Sequence, residues 1–223
     1  LAAWVGASGV QLQPLVDALK AALISHGVLH ADETPVAMLD PGAKKTKRAY
    51  IWSYATPSFE PLQGVVYDFA DGRGGKHAEA FLGEWRGTLV CDDYSGYKAL
   101  FEKGVTEAGC LAHARRKFYD LWVNHKNPLA EQALAHFGEL YKVEREVQDL
   151  TADQRKAVRE EKAKPIAEAF HKWLMAHRQK VPDGGATAKA MDYSLKRWDA
   201  LVHYIGTGNV PADNNWVENR IRP

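Results

Sequence analysis

The feature that most constrains this chain is a change of pattern near residue 110. Up to about Cys110 it is built from short β-forming runs broken by glycine, proline and charged turns, and beyond about His113 it reads almost wholly helical. Tyr50, Ile51, Trp52 and Tyr54 mark a strand over 49–55, and Val65, Val66, Tyr67 and Phe69 mark another over 64–69. An extended segment covers 28–36, a buried strand end 87–92 and a last strand 105–110, with short helices expected at 77–85 and 98–103. Before all of these, Leu15, Leu19 and Leu23 recur at helical spacing, so a helix is expected over 12–26, stopped by Gly27. After that helix the order reads β-β-β-α-β-α-β. Three strands joined by short turns favour an antiparallel meander, and strands alternating with helices favour parallel neighbours. The expected fold is therefore α/β, a mixed five-stranded sheet with helices on its faces.

The second half carries stripes of helical period. Leu140, Val143, Val147 and Leu150 form one, and Ile166, Phe170, Trp173, Leu174 and His177 form another. Pro165 starts or kinks a helix, 182–185 is a break, and a helix from about 188 to 204 carries Met191, Leu195, Trp198 and Leu201. No strand is expected from 119–210, since none of these stripes alternates with period two.

Composition excludes several classes. The 223 residues allow one large domain or two small ones. No apolar run approaches the roughly 18 residues of a membrane span, so no membrane partner is expected. Lys plus Arg is 29 against 28 for Asp plus Glu, which argues against a globally basic nucleic-acid binder while leaving room for local patches. Cys91 and Cys110 cannot make a disulfide framework, and a reducing, cytoplasmic compartment is expected. The sequence starts at Leu1 without a Met and stops at Pro223 just after a helix-start signal, as a piece of a longer protein does.

Three acids stand out. Asp32 in HADETPV and Asp92 in CDDYSGY fall in or at the ends of apolar strands, where a carboxylate is costly unless paired or bound to a cation. Glu218 follows Asn215 by three residues, a helix-start box in which it could cap a backbone amide, aim at the strand ends, or do both. The plainer reading of the two aspartates is a solvated strand end. Together, three carboxylates are hard oxygen ligands suited to Mg²⁺ or Mn²⁺, and two such ions about 3.5–4 Å apart can clamp the oxygens of a phosphodiester. Cys110 and His113 have metal-like spacing, but no second pair completes a zinc site, so a buried strand cysteine and a site-adjacent His113 are expected. Arg115, Arg116 and Lys117 at a helix start, and Lys44, Lys45, Lys47 and Arg48 in a basic turn over 41–48, could hold DNA phosphates or simply face solvent.

The segments HADETPV, GRGGKHAEAFL, CDDYSGY, GCLAHARRKF, KAMDYSLKRWDALVHYI and PADNNWVENRIRP occur in this order. Together they resemble the transposases of the insertion-sequence-66 family of bacterial mobile elements, over the whole of residues 1–223. The resemblance implies a DDE-type catalytic core of ribonuclease H-like fold at 1–118, a large all-helical insertion at 119–210, and the start of the core helix carrying the catalytic Glu at 211–223. By matching motif it makes Asp32, Asp92 and Glu218 both catalytic and metal-binding, with Tyr97, His113 and Asn215 nearby. It implies two Mg²⁺ or Mn²⁺ ions, transposon-end and target DNA as partners, self-association in an active complex, and cleavage followed by strand transfer. A ribonuclease H-like nuclease without strand transfer, or an inactive DNA-binding remnant, are the alternatives. The chain departs from the family pattern at Asp93, where a small residue is expected, at Asn219 in place of Arg, and at Leu111 in place of Trp. Asp92 rather than Asp93 keeps the expected distance to Tyr94 and Tyr97.

Overall fold

Strand-forming and helix-forming runs segregate in the computed structural model much as their periodicities require. The structure describes residues 2–43 and 45–221. Its elements are α1 (Ala2–Ile24), β1 (Val28–Leu39), β2 (Thr46–Ala55), β3 (Val65–Ala70), α2 (Lys76–Leu82), β4 (Thr88–Cys91), α3 (Lys98–Glu102) and β5 (Thr106–Gly109). The helical half follows as α4 (Leu111–His125), α5 (Pro128–Glu146), α6 (Ala152–Val158), α7 (Lys164–Arg178), α8 (Ala186–Lys196), α9 (Trp198–Val202) and α10 (Asn215–Ile221). The five strands form one mixed sheet in the order β3-β2-β1-β4-β5, consistent with the ribonuclease H-like class. The chain divides into two compact units, one of Leu1–Leu89, Tyr94–Thr106 and Trp216–Pro223, the other of Val90–Asp93 and Glu107–Asn215. Among the described residues no helix is long and apolar enough to cross a membrane.

In the first unit β1 pairs antiparallel with β2 from His30↔Ala55 to Leu39↔Thr46, and β2 with β3 from Tyr50↔Ala70 to Ala55↔Val65. The first residues of β1 are continuously buried, as in a central strand, and the later ones, still paired with β2, alternate between half-buried and exposed. Pro35 lies in that alternating stretch, opposite Tyr50 of β2. Trp52 and Tyr54 are fully buried, and the Tyr54 ring stacks on Phe81 of α2 at 3.7 Å. Burial, then the charges of Asp68 and Glu33, push the Tyr54 phenol well above its ordinary pKa.

Two expectations for this unit need correction. The first helix begins at Ala2, not near residue 12, and runs through Pro14. The leucine stripe locates only its packed end, since Leu23 is buried while Leu15 is 68% exposed. The turn at 41–48 is shorter than expected, because β2 already starts at Thr46 and takes Lys47 and Arg48 into the strand. Backbone pairing with β1 overrides the low strand preference of lysine there.

The second unit is helical, and among the described residues no strand lies within 119–210. Phe118 of α4, Phe137 of α5 and Phe170 of α7 form an aromatic chain with centroid distances of 5.9 and 5.0 Å. Of the expected stripes, Leu140, Val143, Val147, Phe170 and Leu174 are buried, while Leu150, Ile166 and Trp173 are half-buried. Asn127 caps α5, accepting from the Leu129 and Ala130 amides at 2.9 and 3.1 Å ahead of Pro128. Pro165 sits at the start of α7, as expected of a proline that opens a helix. The chain runs from α6 through a π turn (Arg159–Ala163) into α7, with Pro165 absorbed in the first helical turn.

Candidate active site

Asp32 and Glu33 are neighbours on β1, so the pleat sends them to opposite faces of the sheet. Asp32 lies opposite Ser53 of β2 and is half-buried. Glu33 lies opposite Trp52, and its side chain is 2% exposed. A buried carboxylate needs partners, and Glu33 has three donors: Arg73 Nε at 2.9 Å and Nη2 at 2.5 Å on one oxygen, Tyr97 Oη at 2.8 Å on the other. Arg73 in turn lies 4.0 Å over the Tyr94 ring, and the Tyr94 hydroxyl donates to the Arg73 carbonyl. The two glycine-bearing motifs meet here. A Cβ on Gly75 would sit 2.2 Å from the Gly96 carbonyl oxygen, so only glycine permits the approach.

α10 belongs to the same unit from Trp216 onward. Seven residues cannot hold a helix alone. Trp216 Nε1 donates to the Thr56 carbonyl at 3.0 Å, Tyr67 Oη donates to the Arg220 carbonyl at 2.7 Å, and Val217 is fully buried. Those contacts tie the helix to β3 and to the end of β2. Glu218 is 7% exposed and sits in the first turn, where the helix dipole favours a carboxylate.

Asp92 falls in the second unit, half-buried just past β4. Beside it Asp93 is engaged by Arg197 at 2.5 Å, and the same guanidinium holds Glu107 at 2.6 Å and reaches the Asp92 carbonyl at 3.4 Å. Asp93 thus has a structural partner of its own. Cys110 is buried, its Sγ accepting from the Asn214 amide at 3.2 Å, and His113 is half-buried on α4. α10 starts at Asn215, whose N–H donates to Asp213 Oδ1 at 3.0 Å. Asp213 Oδ2 also accepts from Tyr141 Oη at 2.9 Å, and burial followed by the Asp213 charge pushes the Tyr141 phenol far up.

The basic residues part company. Arg115 and Arg116 line an open cavity of about 560 Å³ together with Arg145, Tyr119, Tyr141 and Asn215. Lys117 does not join them, its Nζ lying 4.3 Å over the Tyr193 ring. Lys44 lies outside the described residues. Lys45, Lys47 and Arg48 are exposed, and Lys47 has Asp71 within 3.9 Å. Sequence reasoning did not reach Glu33, Arg73, Arg145 or Arg197. The signals available were an acid on the buried face next to Asp32 and an arginine inside the GRGG loop.

As a donor set, Asp32, Asp92 and Glu218 suit a hard divalent cation, and Glu218 is buried. The chain matches the profile of the transposase IS66 family over residues 1–223. It is 35% identical to "Uncharacterized protein y4qI" of Sinorhizobium fredii (strain NBRC 101917 / NGR234), covering 100% of this chain and 44% of that protein. It is 30% identical to "Uncharacterized protein y4hP" of the same strain, again over 100% of this chain and 44% of the relative. A third protein of that strain, "Uncharacterized protein y4jD", is 32% identical over 95% of this chain and 43% of its own length. The chain therefore spans under half the length of these curated relatives.

Proposed function

This chain belongs to the transposase IS66 family, and on that premise we propose that it carries the residues of a metal-dependent reaction that cuts DNA at element ends and joins them to a target. The observation that carries the reading is a buried carboxylate, Glu218, on a helix tied to β2 and β3 in the same unit as the strand bearing Asp32. Asp32, Asp92 and Glu218 are the proposed ligands of Mg²⁺ or Mn²⁺. When bound, the ions supply acidification of water and neutralisation of charge on the phosphodiester.

The remaining work falls to the chain itself. Glu33, clamped by Arg73 and Tyr97, holds β1 in register and so orients Asp32 on the opposite face. Asp93 keeps Arg197 engaged, which leaves Asp92 as the ligand of the pair. Arg115, Arg116, Lys45, Lys47 and Arg48 are the proposed phosphate contacts, and Tyr97, His113 and Asn215 are proposed as site-adjacent polar groups. Residues 1–118 and 211–223 are proposed as the catalytic core and 119–210 as a helical insertion. Self-association on two DNA ends belongs to the same proposal.

The test is nicking of a supercoiled plasmid in Mn²⁺, followed by joining of a labelled 3′-OH oligonucleotide to that plasmid. Asp32→Asn and Asp92→Asn are expected to lower both activities by at least about 10³-fold, the scale of losing charge stabilisation at a reacting centre. Cutting without joining would reduce the function to a nuclease. An Asp32→Asn chain that cuts at the wild-type rate overturns the assignment.

A further inference from the structure

The helical unit contains a cavity that the three acids leave unused. Its volume of about 560 Å³ lies in the range of small-ligand sites. Arg115 and Arg116 enter it from α4, and Arg145 enters from the last turn of α5. Its lining includes no carboxylate. Other arginines of this unit have protein partners. Arg155 holds backbone carbonyls, Arg159 holds Glu144, Arg178 holds Asp192 and Asp183, and Arg197 holds Asp93 and Glu107. Among the described residues Arg115, Arg116 and Arg145 make no ion pair with a carboxylate. Three guanidinium groups around one cavity repel one another, and a phosphate, which their planar forks match, relieves that repulsion.

The aromatic lining adds a second character. Tyr119 is 42% exposed, with Arg115 5.5 Å over its ring, and Tyr141 has its hydroxyl committed to Asp213. Ring faces beside arginines are what a nucleobase stacks on.

The floor of the cavity is the third observation. Gly138 lies in the interior of α5, where glycine costs about 0.5–1 kcal/mol relative to alanine. A Cβ there would meet nothing within 4 Å, so no packing contact demands glycine. The missing side chain leaves the cavity open. Asn215, another lining residue, is also the first residue of α10 and stands three positions before Glu218.

We infer that this cavity takes one unpaired nucleotide of a DNA strand, its phosphate held by Arg115, Arg116 and Arg145 and its base against the tyrosine rings. A single splayed nucleotide fits such a space and a duplex does not. The inference rests on the reading of the chain as a DNA-handling protein, and it names a part of the DNA that the carboxylates do not touch.

The test is fluorescence anisotropy with a labelled single strand of about 20 nucleotides and with its duplex, across a salt series and in EDTA, so that cleavage plays no part. Arg116→Ala and Arg145→Ala are each expected to weaken single-strand binding about 10-fold and to flatten the slope of log K against log salt by about 0.7. Gly138→Trp changes no charge but fills the cavity. It is expected to weaken single-strand binding about 10-fold and duplex binding less than about 2-fold. Gly138→Leu, also without charge, serves as a second filling variant should Gly138→Trp fail to fold by circular dichroism. Lys156→Ala, on α6 and outside the cavity, removes the same charge and should change neither affinity.

Unchanged single-strand binding in folded Gly138 variants, or equal weakening of both DNA forms, overturns the inference. Displacement of the strand by inorganic phosphate alone, with the Gly138 variants binding as well as wild type, reduces the cavity to an anion site and overturns it too. Binding is read in EDTA, where the proposed metal ligands hold no ion and no DNA is cut. A failure of the catalytic reading therefore shows in the nicking assay and leaves these affinities untouched.

Discussion

Two adjacent acids on β1 have different tasks because a strand turns successive side chains to opposite faces. Glu33 is buried and bonded to Arg73 and Tyr97, while Asp32 is half-buried beside it. The strand period in the Asp–Glu dipeptide carried that division, but sequence reasoning did not draw it and assigned no role to Glu33. Its partners were not visible, because Arg73 lies 40 residues and Tyr97 64 residues further on, and only tertiary structure brings them in. Converting Glu33 to Gln keeps the shape but removes the charge that a buried guanidinium contact requires. Because Arg73 is 44% exposed, water takes over part of its loss. Glu33→Gln is expected to cost about 2 kcal/mol, a fall in melting temperature of about 4–8 °C for a chain of this size. Asp93→Asn breaks the contact with Arg197, but Asp93 is half exposed and Glu107 keeps the arginine paired, so about 0–1 kcal/mol is expected. Thermal melts by circular dichroism check both. A silent Glu33→Gln removes the argument that this cluster holds β1 in place.

At the scale of elements, periodicity located what packs and misjudged what does not. Phe170 and Leu174 of α7 are buried where their stripe put them, and the sheet's five strands were all foreseen. The exposed first turns of α1 carry no apolar stripe facing a core, and the only composition cue near the π turn between α6 and α7 is Pro165 just after it. That turn opens on Arg159, which is fully buried. Its Nε and Nη2 bond Glu144 at 2.8 and 2.5 Å, and its Nη1 donates to the carbonyls of Tyr204, Thr207 and Val210 at 3.1, 2.9 and 3.0 Å. One side chain thereby satisfies a carboxylate and the irregular backbone between α9 and α10. An isolated arginine in a helical run reads as surface, so sequence reasoning passed over it. Arg159→Ala strands Glu144 and three carbonyls, and a loss of about 3–5 kcal/mol is expected, or roughly 10 °C in melting temperature. Amide exchange should rise across 203–210 before it rises in α5. Uniform exchange with an unchanged melt would show that the clamp contributes nothing.

Over the whole molecule the three acids are drawn from both compact units, Asp32 and Glu218 from one and Asp92 from the other. The family was legible because the motifs around them are ordered and specific, whereas their proposed joint role is a matter of a cation that a protein sequence does not contain. Ion binding to the folded chain supplies a test that needs no DNA, no partner and no turnover. A ligand that binds only the folded state stabilises it by about 2.7 kcal/mol at a hundred times its dissociation constant. Mn²⁺ at saturating concentration should therefore raise the melting temperature by about 5–10 °C. On the proposal that the three acids share a centre, their like charges repel without metal, so neutralising one of them should leave the metal-free melting temperature unchanged or slightly raised. Asp32→Asn, Asp92→Asn and Glu218→Gln should each abolish most of the Mn²⁺-dependent rise, while Asp93→Asn should retain it. Loss of the rise in both Asp32→Asn and Asp92→Asn is what a shared centre requires, because two independent sites would each lose only their own part. If Asp92→Asn keeps the full rise, Asp92 is not a ligand and the three-carboxylate proposal fails for this chain.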